Sequence, residues 1–446
     1  MEDVNSATKG RRWAAPFFAI WTGQAFSLLG SMLVQFALVW WLTQTTGSAT
    51  VLATATLVAV LPAVIFGPVS GALVDRWNRR LVMIVADSLI ALATLGLIYV
   101  YRAGIVQVGY VYAAMAFRAS MGAFQWPAMQ ASTSLMVPEK HLTRIAALNQ
   151  TLNGAMNIIA PPLGALLIAL FPMQAVLAID VVTALLAVAP LLFVRIPQPL
   201  RRSTASATAL VPGQTEGEGR PSVWQDLRAG LRYVAAWPGL LAVLILAMAI
   251  NFVTTPAFSL MPILVTKHFG AGALELGWLE AGWGIGVVVG GLILSAWGGF
   301  RRRVVTSLTG VVGIGIGMLI VGVSPAGALA MAVAGMFLAG FMNPITNGPF
   351  FALLQSNVEA GMQGRVLGLV QSASAAMMPL SLLIAGPVAD ALGVRVWYLL
   401  GGAATVLAGL ISFCVPSIMH VEDNGYAKPA SDRDDLAPTA ALAECE

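Results

Sequence analysis

Three ionisable residues stand where water should be scarce. Arg118, Asp180 and Glu280 each lie inside a long apolar stretch. If those stretches cross a bilayer, a charge at mid-depth costs about 2.5 to 3.5 kcal/mol on insertion scales. Each group must then face a cavity or an internal partner. A carboxylate in a partly dry site, with a cation close by, can bind and release protons under physiological conditions. Asp180 falls seven residues into its run, roughly 10 Å deep at 1.5 Å per residue. Glu280 sits among Gly277, Gly282, Gly284 and Gly286, which allow neighbouring backbones to approach closely. Glu275, nearer the end of the same run, reads as a solvated acid.

The elements that must position these groups follow from composition. The chain of 446 residues is 58% hydrophobic and only 10% charged. Its mean hydropathy is +0.82. A water-soluble body of this composition would expose large apolar patches, so the bilayer is its solvent. Backbone in lipid must satisfy its own hydrogen bonds, which makes each apolar run of about 20 residues a spanning helix. The runs lie near 14–42, 48–74, 81–101, 105–128, 143–171 and 173–194, then 238–266, 273–298, 304–323, 326–354, 364–391 and 394–415. The uncharged stretch between Val304 and Val358 divides at Ser324-Pro325-Ala326-Gly327, a turn signal. The run that starts at Ala14 is too long for a leader peptide and reads as a retained first span.

Lysine and arginine set the orientation. Apart from Arg102, Lys267, Arg395 and the intramembrane Arg118, they fall in every second loop and in the terminal segments. This places both termini in the cytoplasm. The pI near 9.3 therefore reflects topology, and no nucleic-acid partner is expected. The expected organisation is an N-terminal six-helix bundle over 1–196, a cytoplasmic linker with a short amphipathic helix over 197–237, a C-terminal bundle over 238–416 and a cytoplasmic tail over 417–446. In the linker helix, Trp224, Leu227, Leu231 and Val234 share one face suited to the membrane surface. A shift of 220 residues lays Gly71 to Trp77 on Gly291 to Trp297, and a shift of 221 lays Arg144 on Arg365 and Gln150 on Gln371. The halves thus read as parallel repeats, which put a binding cavity at their interface.

Enzymatic classes find little support. Cys414 and Cys445 make no disulfide framework or metal spacing, and His141, His268 and His420 all fall in loops or tails. No metal site, cofactor or catalytic residue is expected. No phosphate-binding GxxxxGK[ST] loop occurs, so the sequence carries no signal for a nucleotide as energy source. Gln24, Gln35, Gln125, Trp126, Asn153, Asn251 and Asn347 are polar or aromatic residues within the runs that could line a cavity for an amphiphilic small molecule.

The sequence resembles the major facilitator superfamily over nearly its whole length. Gly71, Asp75, Arg76, Arg79 and Arg80 match the family's loop 2–3 signature, with Trp77-Asn78 where a glycine is usual; Ser295 replaces the acid in the second copy. Arg118 to Gly122 resembles the helix-4 motif. Gly154, Pro161, Pro162 and Gly164 resemble the helix-5 antiporter motif, with Ala160 in place of a glycine. Asp75-Arg76-Trp77, Ala86-Asp87 and Ile179-Asp180 are most similar to the branch of macrolide-efflux proteins and siderophore exporters. The resemblance implies a monomeric, proton-coupled exporter of the inner (cytoplasmic) membrane, with twelve transmembrane helices in two pseudo-symmetric six-helix bundles. In that reading Asp75 faces the positive end of helix 11 as a gate, and Asp87 is expected to pair with an arginine of the 76–80 group. An uptake symporter, a lysolipid translocator and a non-transporting receptor or scaffold share the fold; the surviving helix-5 motif favours export, and the intramembrane charges disfavour a scaffold.

Overall fold

The computed structural model describes residues 13–194, 196, 228, 231–358 and 362–422, without the side chains of residues 68, 69, 71, 72, 75, 76, 139 and 143. The described chain is helical and has no strand. Twelve long helices follow one another: α1 Ala14–Thr46, α2 Ala49–Arg76, α3 Arg79–Arg102, α4 Val108–Met136, α5 Glu139–Leu170, α6 Met173–Phe193, α7 Pro238–Ser259, α8 Ala273–Trp297, α9 Arg303–Val323, α10 Leu329–Asn357, α11 Gln363–Leu392 and α12 Arg395–Cys414. Eleven are long and apolar enough to cross a membrane. The other, α4, carries Arg118, Gln125 and Gln130. Large apolar side chains such as Tyr99, Leu185, Leu292, Leu383 and Ile411 stay exposed on the outer faces, as lipid contact requires. The chain is a multi-pass membrane protein.

Local chemistry explains the helix ends. Gly47 adopts φ 58° after α1, and Ser48 then caps α2 by accepting from the Val51 amide. Asn78 caps α3 through the amides of Arg80 and Leu81. The seventh run is shorter as a helix than its hydropathy suggests. It ends at Ser259 and resumes as a turn at Met261–Ile263 and a π-turn at Leu264–His268. Pro256 and Pro262 each lack the amide that a continuous helix would need there.

The two halves pair their helices identically. In the first, α1 packs on α5 and α6, α3 on α4 and α6, and α2 on α4; in the second, α7 packs on α11 and α12, α9 on α10 and α12, and α8 on α10. Between the halves, α2 meets α11 and α5 meets α8. The end at which α1 begins and α12 finishes is called the base here. At the far end both halves share one apolar core, with Phe36, Trp40, Leu52 and Ala165 against Leu260, Leu264, Leu279 and Leu382. At the base their cores are separate: Ile20, Val74, Met83 and Leu191 in one, and Leu240, Leu308, Leu354 and Val366 in the other. The bundle is therefore sealed at the far end and parted at the base.

Of the linker's expected amphipathic helix, Trp224 and Leu227 lie outside the described residues. Leu231 is exposed, whereas Tyr233, Val234 and Trp237 are buried in the base of the second half. This end of the segment docks on protein, in one apolar core with Leu240, Leu354 and Val366. Beyond α12, the Glu422 carboxylate accepts from the Val304 amide at 2.6 Å and so caps α9.

Candidate functional site

Helix α1 carries no charge, yet Trp21, Gln24, Ser31 and Gln35 fall on one stripe of it, interrupted by Leu28 and with Ser27 beside them. Opposite stand pairs spaced seven apart, Asp87 and Thr94 on α3 and Arg118 and Gln125 on α4. Seven residues is two helical turns, so these side chains form two polar layers roughly 10 Å apart.

The layer farther from the base is ionic. Arg118 Nη1 lies 2.5 Å from Asp180 Oδ2, and Nη2 lies 3.4 Å from Oδ1. Thr94 accepts from Arg118 and donates to Asp180 Oδ2 at 2.8 Å, while Ser31 donates to Oδ1 at 3.1 Å. Asp180 is only 1% exposed. Helices α1 and α6 come close enough for this because Gly30 has no side chain; a Cβ there would sit 3.1 Å from the Asp180 Cα.

The layer nearer the base is a carboxylate held by neutral groups. Asp87 accepts from Gln24 Nε2 at 2.8 Å, Gln125 Nε2 at 2.5 Å and Ser27 Oγ at 3.3 Å. Gln125 also donates to Gln24 Oε1 at 3.0 Å. The expected partnership of Asp87 with the 76–80 arginines is thereby corrected. Asp87 lies two turns farther along α3 than Arg79 and Arg80, on the face that meets α1 and α4. Those arginines hold the base of the first half together instead. Arg79 donates to the Ala131 carbonyl on α4, and Arg80 to the Leu191 and Leu192 carbonyls at the end of α6, where a cation complements the helix dipole. The side chains of the other gate residues, Gly71, Asp75 and Arg76, lie outside the described residues.

Two cavities rich in polar side chains lie toward the base, one in each half. One, of about 110 Å³, is walled by Gln24, Ser27 and Ser31 of α1, Gln125 and Trp126 of α4, and Asn149 and Asn153 of α5. The other, of about 300 Å³, is walled by Asn251, Asn343, Asn347 and Gln371 among Phe258, Trp283, Phe350 and Phe351. Carboxamides among aromatic rings suit a ligand that is mostly apolar with a few hydrogen-bonding groups. Gln35 lines neither cavity; it is exposed one turn beyond Ser31 on the same stripe.

Arg118, Asp180 and Glu280 line neither cavity themselves. The first two form one buried ion pair, connected to the smaller cavity through Ser31. Glu280 is half-buried on α8, between Gly277 and Gly284, and has no hydrogen bond or ion pair with a described residue. Those glycines press on α5: a Cβ on Gly277 would meet the Pro162 Cα at 3.1 Å, and one on Gly284 the Ile158 side chain at 2.6 Å. The α5 motif thus sits on the seam. Pro161 and Pro162 face α8, and Gly164 takes the ring of Phe36, whereas Gly154 has open space.

One seam contact had no counterpart in the sequence reading. Asp390, in the last turn of α11, accepts from the Ala49 amide at 2.8 Å, the Thr50 amide at 3.0 Å, the Thr50 hydroxyl at 2.7 Å and the Ser48 hydroxyl at 3.0 Å. A carboxylate of the second half therefore caps the first turn of α2 in the first half.

The family model described as Major Facilitator Superfamily matches residues 20–381. The chain belongs to this superfamily. Among relatives, Macrolide efflux protein A of Streptococcus pyogenes is 31% identical over 414 residues, covering 93% of this chain and 99% of the relative. The Multidrug efflux pump Tap of Mycolicibacterium fortuitum is 26% identical over 413 residues, covering 88% and 94%. In fold, this superfamily chain is similar to a bacterial homologue of the iron transporter ferroportin, with a TM-score of 0.65 at 14% identity over 92% of this chain and 99% of that one. It is also similar to a D-xylose-proton symporter, with a TM-score of 0.62 at 16% identity over 88% and 96%. This superfamily member is a transporter, and its twelve paired helices are the family's architecture.

Proposed function

We propose that this transporter exports a hydrophobic or amphiphilic small molecule of macrolide-like character in exchange for protons, by alternating access across the cytoplasmic membrane. The observation that carries this reading is the contrast between the two ends. The far end is closed by one shared core and the Asp390 cap, while toward the parted base each half carries a cavity rich in carboxamides and aromatic rings. The basic loops put the base in the cytoplasm, so the open side is the one from which an exporter loads. Named macrolide and multidrug efflux relatives support the cargo class. The buried acids Asp87 and Asp180 and the half-buried Glu280, with Arg118, supply ionisable groups for coupling. The proton gradient is the energy source, no cofactor takes part, and the monomer is the working unit.

Everted membrane vesicles test the proposal. Vesicles containing the protein should accumulate a radiolabelled macrolide on energisation, beyond vesicles without it, and lose it when a protonophore is added. Accumulation that ignores the protonophore would sink proton coupling. No accumulation of a macrolide or of other amphiphilic antibiotics would sink the cargo class.

A further inference from the structure

Asp87 is 1% exposed, and its described hydrogen-bond partners are all neutral. The charged groups around it are engaged elsewhere. Helix α1 has no ionisable side chain. Helix α4 brings Arg118 and α6 brings Asp180, and these two pair with each other. On α3 itself, Arg79 and Arg80 donate to carbonyls of α4 and α6 nearer the base. Helix α2 carries Asp75 and Arg76, whose side chains lie outside the described residues; the tyrosines of α3 and α4 sit toward the far end.

All three donors that hold Asp87 also wall the smaller cavity, and two of them, Gln24 and Gln125, are carboxamides. An ionised carboxylate only accepts hydrogen bonds, so both carboxamides turn their N–H groups toward it. The Gln125 carbonyl oxygen accepts nothing from a described residue and is left for a ligand. A protonated Asp87 has an O–H to donate, and its nearest acceptors are these same carboxamides. To accept that proton a carboxamide must turn over, which exchanges carbonyl for N–H₂ at the cavity wall.

We propose that Asp87 is the proton-exchanging carboxylate of this transporter and that Gln24 and Gln125 convey its protonation state to the cargo by turning over. With Asp87 ionised, the wall presents the Gln125 carbonyl oxygen above a buried negative charge and receives a cargo that donates hydrogen bonds or carries an ammonium group. With Asp87 protonated, the wall presents N–H₂ groups over a neutral site, and that cargo is released. The proton taken up at one face leaves at the other when the next cargo binds, so one cargo moves against one proton. This inference rests on the proton-exchange reading above.

The test is equilibrium binding of a radiolabelled macrolide to the purified full-length protein across a range of pH. In the wild type, affinity should fall by about tenfold per pH unit on the acid side, the limit for one competing proton. In Asp87→Asn, affinity should be weak and independent of pH, with cargo counterflow retained at saturating macrolide as proof of a folded carrier. Asp87→Glu should restore the pH dependence at a displaced midpoint, which keeps the test decisive if the asparagine variant does not fold. Gln125→Met should flatten the slope although Asp87 remains. An unchanged slope in Asp87→Asn, including one due to the probe's own amine, overturns the assignment. An unchanged slope in Gln125→Met overturns the relay. A flat wild-type profile instead removes the proton-exchange reading and this inference with it.

Discussion

The Asp390 carboxylate takes both the hydroxyl and the amide of Thr50, at 2.7 and 3.0 Å, across the seam between the two halves. It does at the start of α2 what an N-cap residue does within one chain segment, but from another bundle. A Cβ on Gly386, one turn earlier on α11, would stand 2.5 Å from the Thr50 Cα, so the helices touch where the cap forms. In the proposed cycle, opening the far end must break this contact, which therefore weighs on the equilibrium between the two openings.

Removing it should favour the opposite opening. Loss of an N-cap costs about 0.5 to 2 kcal/mol, a roughly two- to thirtyfold change in population. Ala53 belongs to the shared far-end core. In a background without Cys414 and Cys445, a cysteine placed at Ala53 should react faster with a polar thiol reagent when Asp390→Ala is added. An unchanged labelling rate would show that the cap does not hold the seam.

The Arg118–Asp180 pair makes a prediction about stability. Removing one partner strands the other charge in a dry site, at a cost of about 3 to 5 kcal/mol. Arg118→Ala and Asp180→Ala should each lower the thermal unfolding temperature in detergent more than the double variant Arg118→Leu/Asp180→Leu does. Equal or greater loss in the double variant would contradict a self-neutralising brace.

Adjacent glycines on α8 should respond oppositely. A Cβ on Gly290 would run into the Phe341 carbonyl of α10, while one on Gly291 meets nothing within 4 Å. Gly290→Ala should destabilise by about 1 to 3 kcal/mol through overpacking. Gly291→Ala should be neutral or slightly stabilising, because alanine is the better helix former. Thermal unfolding of the two variants side by side checks this.

The larger cavity's carboxamides should set affinity without setting coupling. Asn347→Leu or Gln371→Leu removes a hydrogen-bonding group from the wall, worth about 0.5 to 1.5 kcal/mol, or roughly two- to tenfold in dissociation constant. Macrolide binding should weaken by that factor with its pH dependence intact. A changed pH slope with unchanged affinity would reverse the roles given to the two cavities.

Some of this arrangement was legible without coordinates. The helices follow from lipid forcing each apolar run to satisfy its own backbone, and the polar layers are foreshadowed by the spacing of seven in Gln24 and Ser31, Asp87 and Thr94, and Arg118 and Gln125. Their partnerships were not. Asp87 is near Arg79 and Arg80 in sequence, but two turns of helix carry it past them to a different set of neighbours. Arg118 and Asp180 were each marked by the cost of a charge in lipid, yet nothing local states that they meet. Nothing in the sequence singles out Asp390, because an acid in the last turn of a helix normally reads as solvated. Its partners at Ser48 to Thr50 lie more than 300 positions away, and only the packing of α11 on α2 brings them together.

The glycines are not evenly used. In the second half Gly282, Gly286 and Gly290 bring α8 against α10, Gly310 and Gly317 bring α9 against α10, and Gly315 and Gly402 bring α9 against α12. In the first half Gly67 on α2 and Gly122 on α4 face open space. Backbones in direct contact leave little room to slide, so the second half should swing as a block. The first half, clasped less tightly along α2 and α4, should bend while it follows. A cargo held between them would lean on one wall that pivots and another that yields.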